Sequence, residues 1–226
     1  MKTNGTILTL SKFENDLQEL DHHETSSFDT PLRPDAFSIS DEEKIRIIAG
    51  HFSEIMRTLG LDLQDDSLKD TAGRVAKMYV KEIFGGLNPA NKPSVTLFEN
   101  KYGYHQMLVA KNIQLQTTCE HHFLPVTGSA HIAYIPSAKI IGLSKINRLV
   151  RYYAGRPQVQ ERLTNQLANE LKQTLGTEDI AVVIDAVHSC VSARGVEDQT
   201  SSTVTSYFSG KFNREETKNE FMAMIR

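Results

Sequence analysis

The chain has 226 residues, enough for one domain with a sizeable core plus an extension. Hydrophobic residues make up 39% and charged residues 23%, the balance of an ordinary globular protein rather than a fibrous or membrane-spanning one. With 25 basic and 28 acidic side chains the net charge is −3, which argues against a nucleic-acid partner but leaves room for a local basic cluster that binds phosphate.

The first segment, MKTNGTILTLSKFEND, lacks the apolar run of a signal peptide, and no stretch is long enough to cross a membrane. The expectation is a cytoplasmic chain whose two cysteines, Cys119 and Cys190, stay reduced. Residues 1–39 are polar and aperiodic and read as a flexible or loosely docked arm, in which the adjacent His22 and His23 are solvated. Ser40 with Glu43 is a capping-box pattern. Ile45, Ile48, Phe52, Ile55 and Leu59 then recur at helical spacing. A second helix is predicted over 68–84, stopped by Gly85-Gly86, with Arg74 and Lys77 on one side of it.

From residue 94 the texture changes to strands. A short one is predicted over 94–98, and 107–118 with 123–135 form a long antiparallel pair around the sequence CEHH. Thr127-Gly128-Ser129 marks an expected bulge or turn. Two helices follow, over 144–153 with Ser144 as cap, and over 158–175 with Pro157 in its first turn and Leu163, Leu167 and Leu171 at four-residue steps. An apolar strand over 180–191 pairs with a Thr/Ser/Val-rich strand over 198–208, and a last helix covers 215–225. Antiparallel strands separated by a helix pair predict an α+β fold, a four-stranded sheet with helices on one face. The helical part is 40–93 and the sheet-bearing part 94–226. A four-stranded sheet has two open edges, which invites pairing with other copies.

The strongest chemical signal is Cys119-Glu120-His121-His122 together with His188-Ser189-Cys190. Two cysteines and a histidine make a three-ligand zinc set, and three protein ligands leave the fourth tetrahedral position to water, as in catalytic sites. Cys119 and His122 are three apart, a spacing that a tight turn folds around one ion. His188 and Cys190, two apart on a predicted strand, face the same side. The competing reading is a pair of buried cysteines with satisfied histidines. Lys145 and Arg148 follow Ser144 on one helix side and make a phosphate cradle or a solvated basic face. Glu161 is a carboxylate able to accept from the N1–H and amine edge of guanine, or a helix-surface acid. Arg194 is a phosphate fork or a turn residue.

Four blocks, TTCEHHF (117–123), AYIPSAKIIGLSKINRLV (133–150), RPQVQERLTNQL (156–167) and HSCVSARGV (188–196), together with DSLKDTAGRVAKMYVKEIFGGL (66–87), resemble the GTP cyclohydrolase I family. The resemblance runs from about residue 41 to the C-terminus. It implies the tunnelling fold, in which sheets of several subunits join edge to edge into a ring, two rings stack into a homodecamer, and the active sites lie between subunits. It implies zinc-dependent hydrolysis of GTP to 7,8-dihydroneopterin triphosphate and formate, the first step of tetrahydrofolate and pterin synthesis, with no nucleic-acid or membrane partner. Position by position it makes Cys119, His122 and Cys190 the zinc ligands, His121 the general acid/base and His188 a second catalytic histidine. Glu161, helped by Gln160, becomes the guanine anchor. Lys145, Arg148 and Arg194 become triphosphate contacts, with Ser144 near the ribose or phosphates, Arg74 and Lys77 as further phosphate contacts and Glu120 at the substrate. Val191-Ser192-Ala193 departs from the methionines many members carry there, at spacer positions. Rival readings are another tunnelling-fold enzyme, such as a pterin synthase with three zinc-binding histidines or a nitrile reductase with a nucleophilic cysteine, and a zinc-stabilised oligomer that binds GTP or a pterin without turnover.

Overall fold

The computed structural model describes residues 27–226, and the unit that carries the fold is Leu32–Arg226. The arm expected over 1–39, with His22 and His23, falls largely outside the described residues. Its described end, up to Ser40, is coil and turn. Helix α1 spans Asp41–Thr58, and Ser40 caps it as expected, its Oγ accepting from Glu43 N at 3.2 Å. The acidic first turn (Asp41, Glu42, Glu43) suits the positive end of the helix dipole.

The second predicted helix is cut short. α2 spans only Thr71–Met78, widens into a π turn over Tyr79–Ile83 and ends in a 3-10 turn at Gly85–Leu87. Gly86 explains the exit. Its N–H donates to Gly155 O at 2.9 Å, and a Cβ there would collide with the carbonyl of Tyr152, so the backbone must pass where only glycine fits.

The main sheet has five strands in the order β5-β2-β3-β6-β7: Leu108–Cys119 (β2), Pro125–Tyr134 (β3), Pro157–Gln158 (β5), Ile180–His188 (β6) and Thr203–Phe208 (β7). The four long strands are antiparallel, in agreement with the expected four-stranded sheet. A separate two-stranded ribbon joins β1 (Leu97–Glu99) to β4 (Lys139–Ile141). Helices α3 (Leu143–Ala154) and α4 (Gln160–Leu175) cover one sheet face, burying Ile146, Leu149, Leu163, Leu167 and Leu171 against Leu115, Ile132, Val182 and Ile184. Helices are not confined to that face. The C-terminal helix α6 (Glu215–Ile225) seats Phe221 on the other side, with Phe212, Ala133, Ala181 and Val183. Alternation along β3 separates the two layers, Ile132 and Tyr134 facing α3 and α4 while Ala133 faces α6.

Four sequence expectations about local geometry are corrected. The bulge is not at Gly128, which pairs regularly with Leu115 and Ala186; glycine is needed there because Ala186 Cα would lie 2.6 Å from a Cβ. It lies in β2, where Lys111 and Asn112 together face His131 alone. Asn112 takes a left-handed conformation (φ 56°), which asparagine tolerates better than most side chains. Next, Ser144 is not a cap, since α3 starts one residue earlier with Gly142 at its N-cap. Third, Pro157 does not open α4. With Gln158 it pairs in parallel with Thr118 and Cys119, so the helix begins only at Gln160. Finally, β6 ends at His188, and Ser189–Ser192 form a one-turn helix, α5.

Candidate active site

The bulge in β2 decides which way the key cysteine points. Before it, Leu108 and Ala110 pack toward α3 and α4; after it, Ile113, Leu115 and Cys119 do. Without the extra residue the strand would run out of phase, and Cys119 would turn to the opposite face. The chain then reverses tightly. Cys119 N donates to Leu124 O and Phe123 N donates to Cys119 O, both at 2.9 Å, so the turn projects His121 and His122 from its tip. Phe123 closes it with φ 55°, and its ring packs edge-on against Phe84 at 5.3 Å. Phe123 and Phe84 also line an apolar cavity of about 340 Å³ with Phe37, Tyr79 and Leu87.

The second half of the site comes from β6 and α5. Register places His188 opposite Val126, which itself faces Thr117, two residues before Cys119. The turn of α5 then folds Cys190 back, so that Cys119, His122 and Cys190 each offer a ligand atom within 4.8 Å of the other two. Strand alternation predicts His188 and Cys190 on the same side, but Cys190 lies in the helical turn that follows the strand. Two thiols and an imidazole are the donor set that a borderline-soft divalent ion prefers, and three donors leave a tetrahedral position open. The residues present therefore fit a zinc ion. Burial, followed by the neighbouring Cys119 sulfur, pushes the Cys190 thiol above its ordinary value. Arg194, just beyond α5, donates from Nη1 to Nε2 of His122 at 2.7 Å.

The α4 N-terminus completes the site because β5 clamps it there. Glu120 N donates to Gln158 O at 3.1 Å, and Thr117 Oγ1 to Arg156 O at 3.3 Å. Arg162 grips Glu120 through Nη1–Oε2 and Nη2–Oε1 at 2.5 and 3.1 Å. Glu120 Oε1 lies 4.0 Å from His121 Nε2, and His121 Nδ1 is 3.9 Å from Cys119 Sγ. Gln160 is buried, with its Oε1 2.8 Å from His188 Nε2. Burial lowers the His188 pKa, and the nearby Glu161 carboxylate offsets part of that shift.

The structure thus brings together residues 119–122, 160–162, 188, 190 and 194. Ser144, Lys145 and Arg148 sit on α3, and Arg74 and Lys77 on α2, which are not the elements that carry the cluster. Arg74 faces Asp70 at 3.6 Å. Sequence reasoning missed Arg162, whose side chain is only 3% exposed. A signal was present. Arg162, Gln166 and Glu170 repeat the four-residue step of Leu163, Leu167 and Leu171 one position earlier, and all three are buried. Each has a built partner: Glu120 for Arg162, Gln158 for Gln166, and Lys92 with Tyr153 for Glu170.

The model of the GTP cyclohydrolase I family matches residues 48–226. The chain belongs to the GTP cyclohydrolase I family. As a member it is an enzyme. Among curated relatives, a GTP cyclohydrolase 1 of Flavobacterium johnsoniae is 58% identical over 94% of this chain and 96% of its own length. Those of an Enterobacter species and of Citrobacter koseri are 52% and 51% identical, each over 88% of this chain and 90% of the relative. The sheet and helix layers described above make the fold α+β, and no helix among the described residues is long and apolar enough to cross a membrane.

Proposed function

We propose that the chain hydrolyses GTP to 7,8-dihydroneopterin triphosphate and formate in the cytoplasm, as the first step of pterin or tetrahydrofolate synthesis, with zinc held by Cys119, His122 and Cys190. The observation that carries this reading is the convergence of those three donors, with His121 and His188 beside them. Zinc held there supplies Lewis acidity, which makes water a competent nucleophile near neutral pH.

The chain's own residues do the rest. Glu161, exposed at the start of α4, accepts from the N1–H and amine of guanine and sets the five-membered ring toward the histidines. His121, exposed at the tip of the turn, protonates N7 as the bond to C8 opens, a step that suits imidazole because its ring nitrogens can both donate and accept a proton. His188 moves protons on the other side of the ring. A second hydrolysis releases C8 as formate, and the ribose carbons rearrange and close onto the freed amine. Glu120, gripped by Arg162, contacts substrate from a fixed position. Lys145, Arg148 and Arg194 hold the triphosphate, aided by Ser144, Arg74 and Lys77.

The tunnelling fold and a decamer of two stacked pentameric rings belong to the same proposal. Among the described residues β7 is an edge strand, and β5 pairs with only Thr118 and Cys119 at the end of the 12-residue β2, so the described residues leave the rest of that edge open. A site shared between copies also accounts for cationic candidates on α2 and α3, away from the elements that carry the cluster. The test is to incubate purified protein with GTP and assay formate together with a fluorescent pterin after oxidation, with zinc content and sedimentation measured on the same sample. Zinc-containing protein of ring mass that makes neither product would overturn the assigned reaction.

A further inference from the structure

The carboxamide of Gln160 has only one orientation that satisfies its surroundings. Its Nε2 lies 2.8 Å from Thr203 O, 3.2 Å from Ile184 O and 3.2 Å from Thr205 Oγ1. Two of these are backbone carbonyl oxygens, which only accept, so the NH₂ end must face them. Reversing the amide would set oxygen against oxygen in a site only 4% exposed. The hydroxyls agree. Thr164 Oγ1 donates to Gln160 O at 2.9 Å, which leaves Thr205 to donate to Thr164 across 2.7 Å and keeps a Thr205 lone pair for Gln160.

Gln160 Oε1 therefore points at His188 Nε2, 2.8 Å away. An amide oxygen cannot donate, so the hydrogen between them belongs to the histidine. In the neutral ring the other nitrogen, Nδ1, then carries no proton. We propose that Gln160 is a positioning residue, anchored by β6 and the edge strand β7, which locks His188 in the Nε2–H tautomer and makes Nδ1 the nitrogen that exchanges protons with substrate. The tautomer follows from the hydrogen bonds alone; the role of Nδ1 rests on the function proposed above. This assigns Gln160 to the histidine instead of to the guanine edge.

Solid-state NMR of the zinc-loaded full chain, ¹⁵N-labelled at histidine, tests the proposal above the imidazole titration range, with the His188 signals assigned by their loss in His188→Asn. The expected result is Nε2–H with unprotonated Nδ1 in the unaltered protein, and a mixture of tautomers in Gln160→Met. With GTP, Gln160→Met should lower kcat at least tenfold while KM stays within about twofold. An Nδ1–H signal for His188 in the unaltered protein overturns the proposal, as does an unchanged tautomer with a raised KM in Gln160→Met, the pattern of a guanine contact. If Gln160→Met does not fold, Thr205→Val removes one acceptor and should broaden the His188 signals, and a spectrum identical to the unaltered protein's counts against the lock. A correct tautomer without GTP turnover removes the function reading and the role of Nδ1, but leaves the tautomer in place.

Discussion

Arg162 and Glu120 form a two-bond ion pair whose guanidinium is almost wholly out of water, with side-chain exposures of 3% and 20%. The pair links the first turn of α4 to the turn that carries His121 and His122, so it braces the candidate site from below. Arg162→Met leaves the partly buried Glu120 carboxylate without its guanidinium partner, a loss of about 1–3 kcal/mol. Arg162→Met should therefore lower the midpoint of denaturant unfolding sharply. Adding Glu120→Gln to Arg162→Met should recover part of the loss, because the orphaned charge is gone. A double-mutant cycle on the four proteins measures the coupling.

Metal binding and proton transfer should separate by mutation. Cys190→Ala removes one of three donors and should lose zinc and GTP turnover together, read by elemental analysis and formate release. Full activity in a metal-free Cys190→Ala protein would refute a metal-dependent reaction.

His121→Ala should keep zinc near the unaltered level, since His121 lies beside the donor group and is not one of its three members. Its turnover should drop by about 10²–10⁴-fold, the usual contribution of a positioned acid or base. Normal turnover would remove His121 from the chemistry.

Two glycines should respond to alanine in opposite ways. At Gly128 a Cβ meets the Asp185 carbonyl and lies 2.6 Å from Ala186 Cα, both backbone of the neighbouring strand, so Gly128→Ala should cost about 3 kcal/mol and spread β3 from β6. At Gly50, inside α1, no described residue beyond the helix's own backbone lies within 4 Å of a Cβ, and alanine should add about 0.5–1 kcal/mol through helix propensity. Thermal unfolding of both variants checks the contrast.

The bulge in β2 should make stability sensitive to mild acid. His131 Nδ1 accepts from Asn112 N at 3.4 Å. Burial lowers the His131 pKa below the ordinary 6.5; Asp185 opposes that shift and Lys111 adds to it. The unfolded chain therefore binds the proton first. The stabilisation is complete above pH 6.5 and is lost as pH falls toward the depressed folded value. His131→Asn keeps an acceptor for Asn112 but cannot titrate, so its unfolding midpoint should fall less steeply between neutral pH and pH 5. Equal slopes in the two proteins would assign the acid sensitivity elsewhere.

Sequence alone determined what short-range chemistry can encode. The Ser40 cap, the α6 span of 215–225, the α3 and α4 faces and the four long strands follow from periodicity and from bonds made within a few residues. Cys119, His122 and Cys190 were legible as donors because thiol and imidazole are unusual enough to be noticed together. The tertiary structure decided what depends on distant partners. Nothing near Asn112 announces that it faces His131 and rephases β2, so that Cys119 points at α4. Nothing near Pro157 shows that it will pair with Thr118 and hold the start of α4 beside Glu120. Gln160 is legible in the sequence only as a helper of the guanine anchor, and Arg162 not at all, until the acceptors of β6 and β7 and the Glu120 carboxylate are brought to them across the fold. A buried polar group gains its meaning from the partner that offsets its desolvation, and that partner is often far away along the chain.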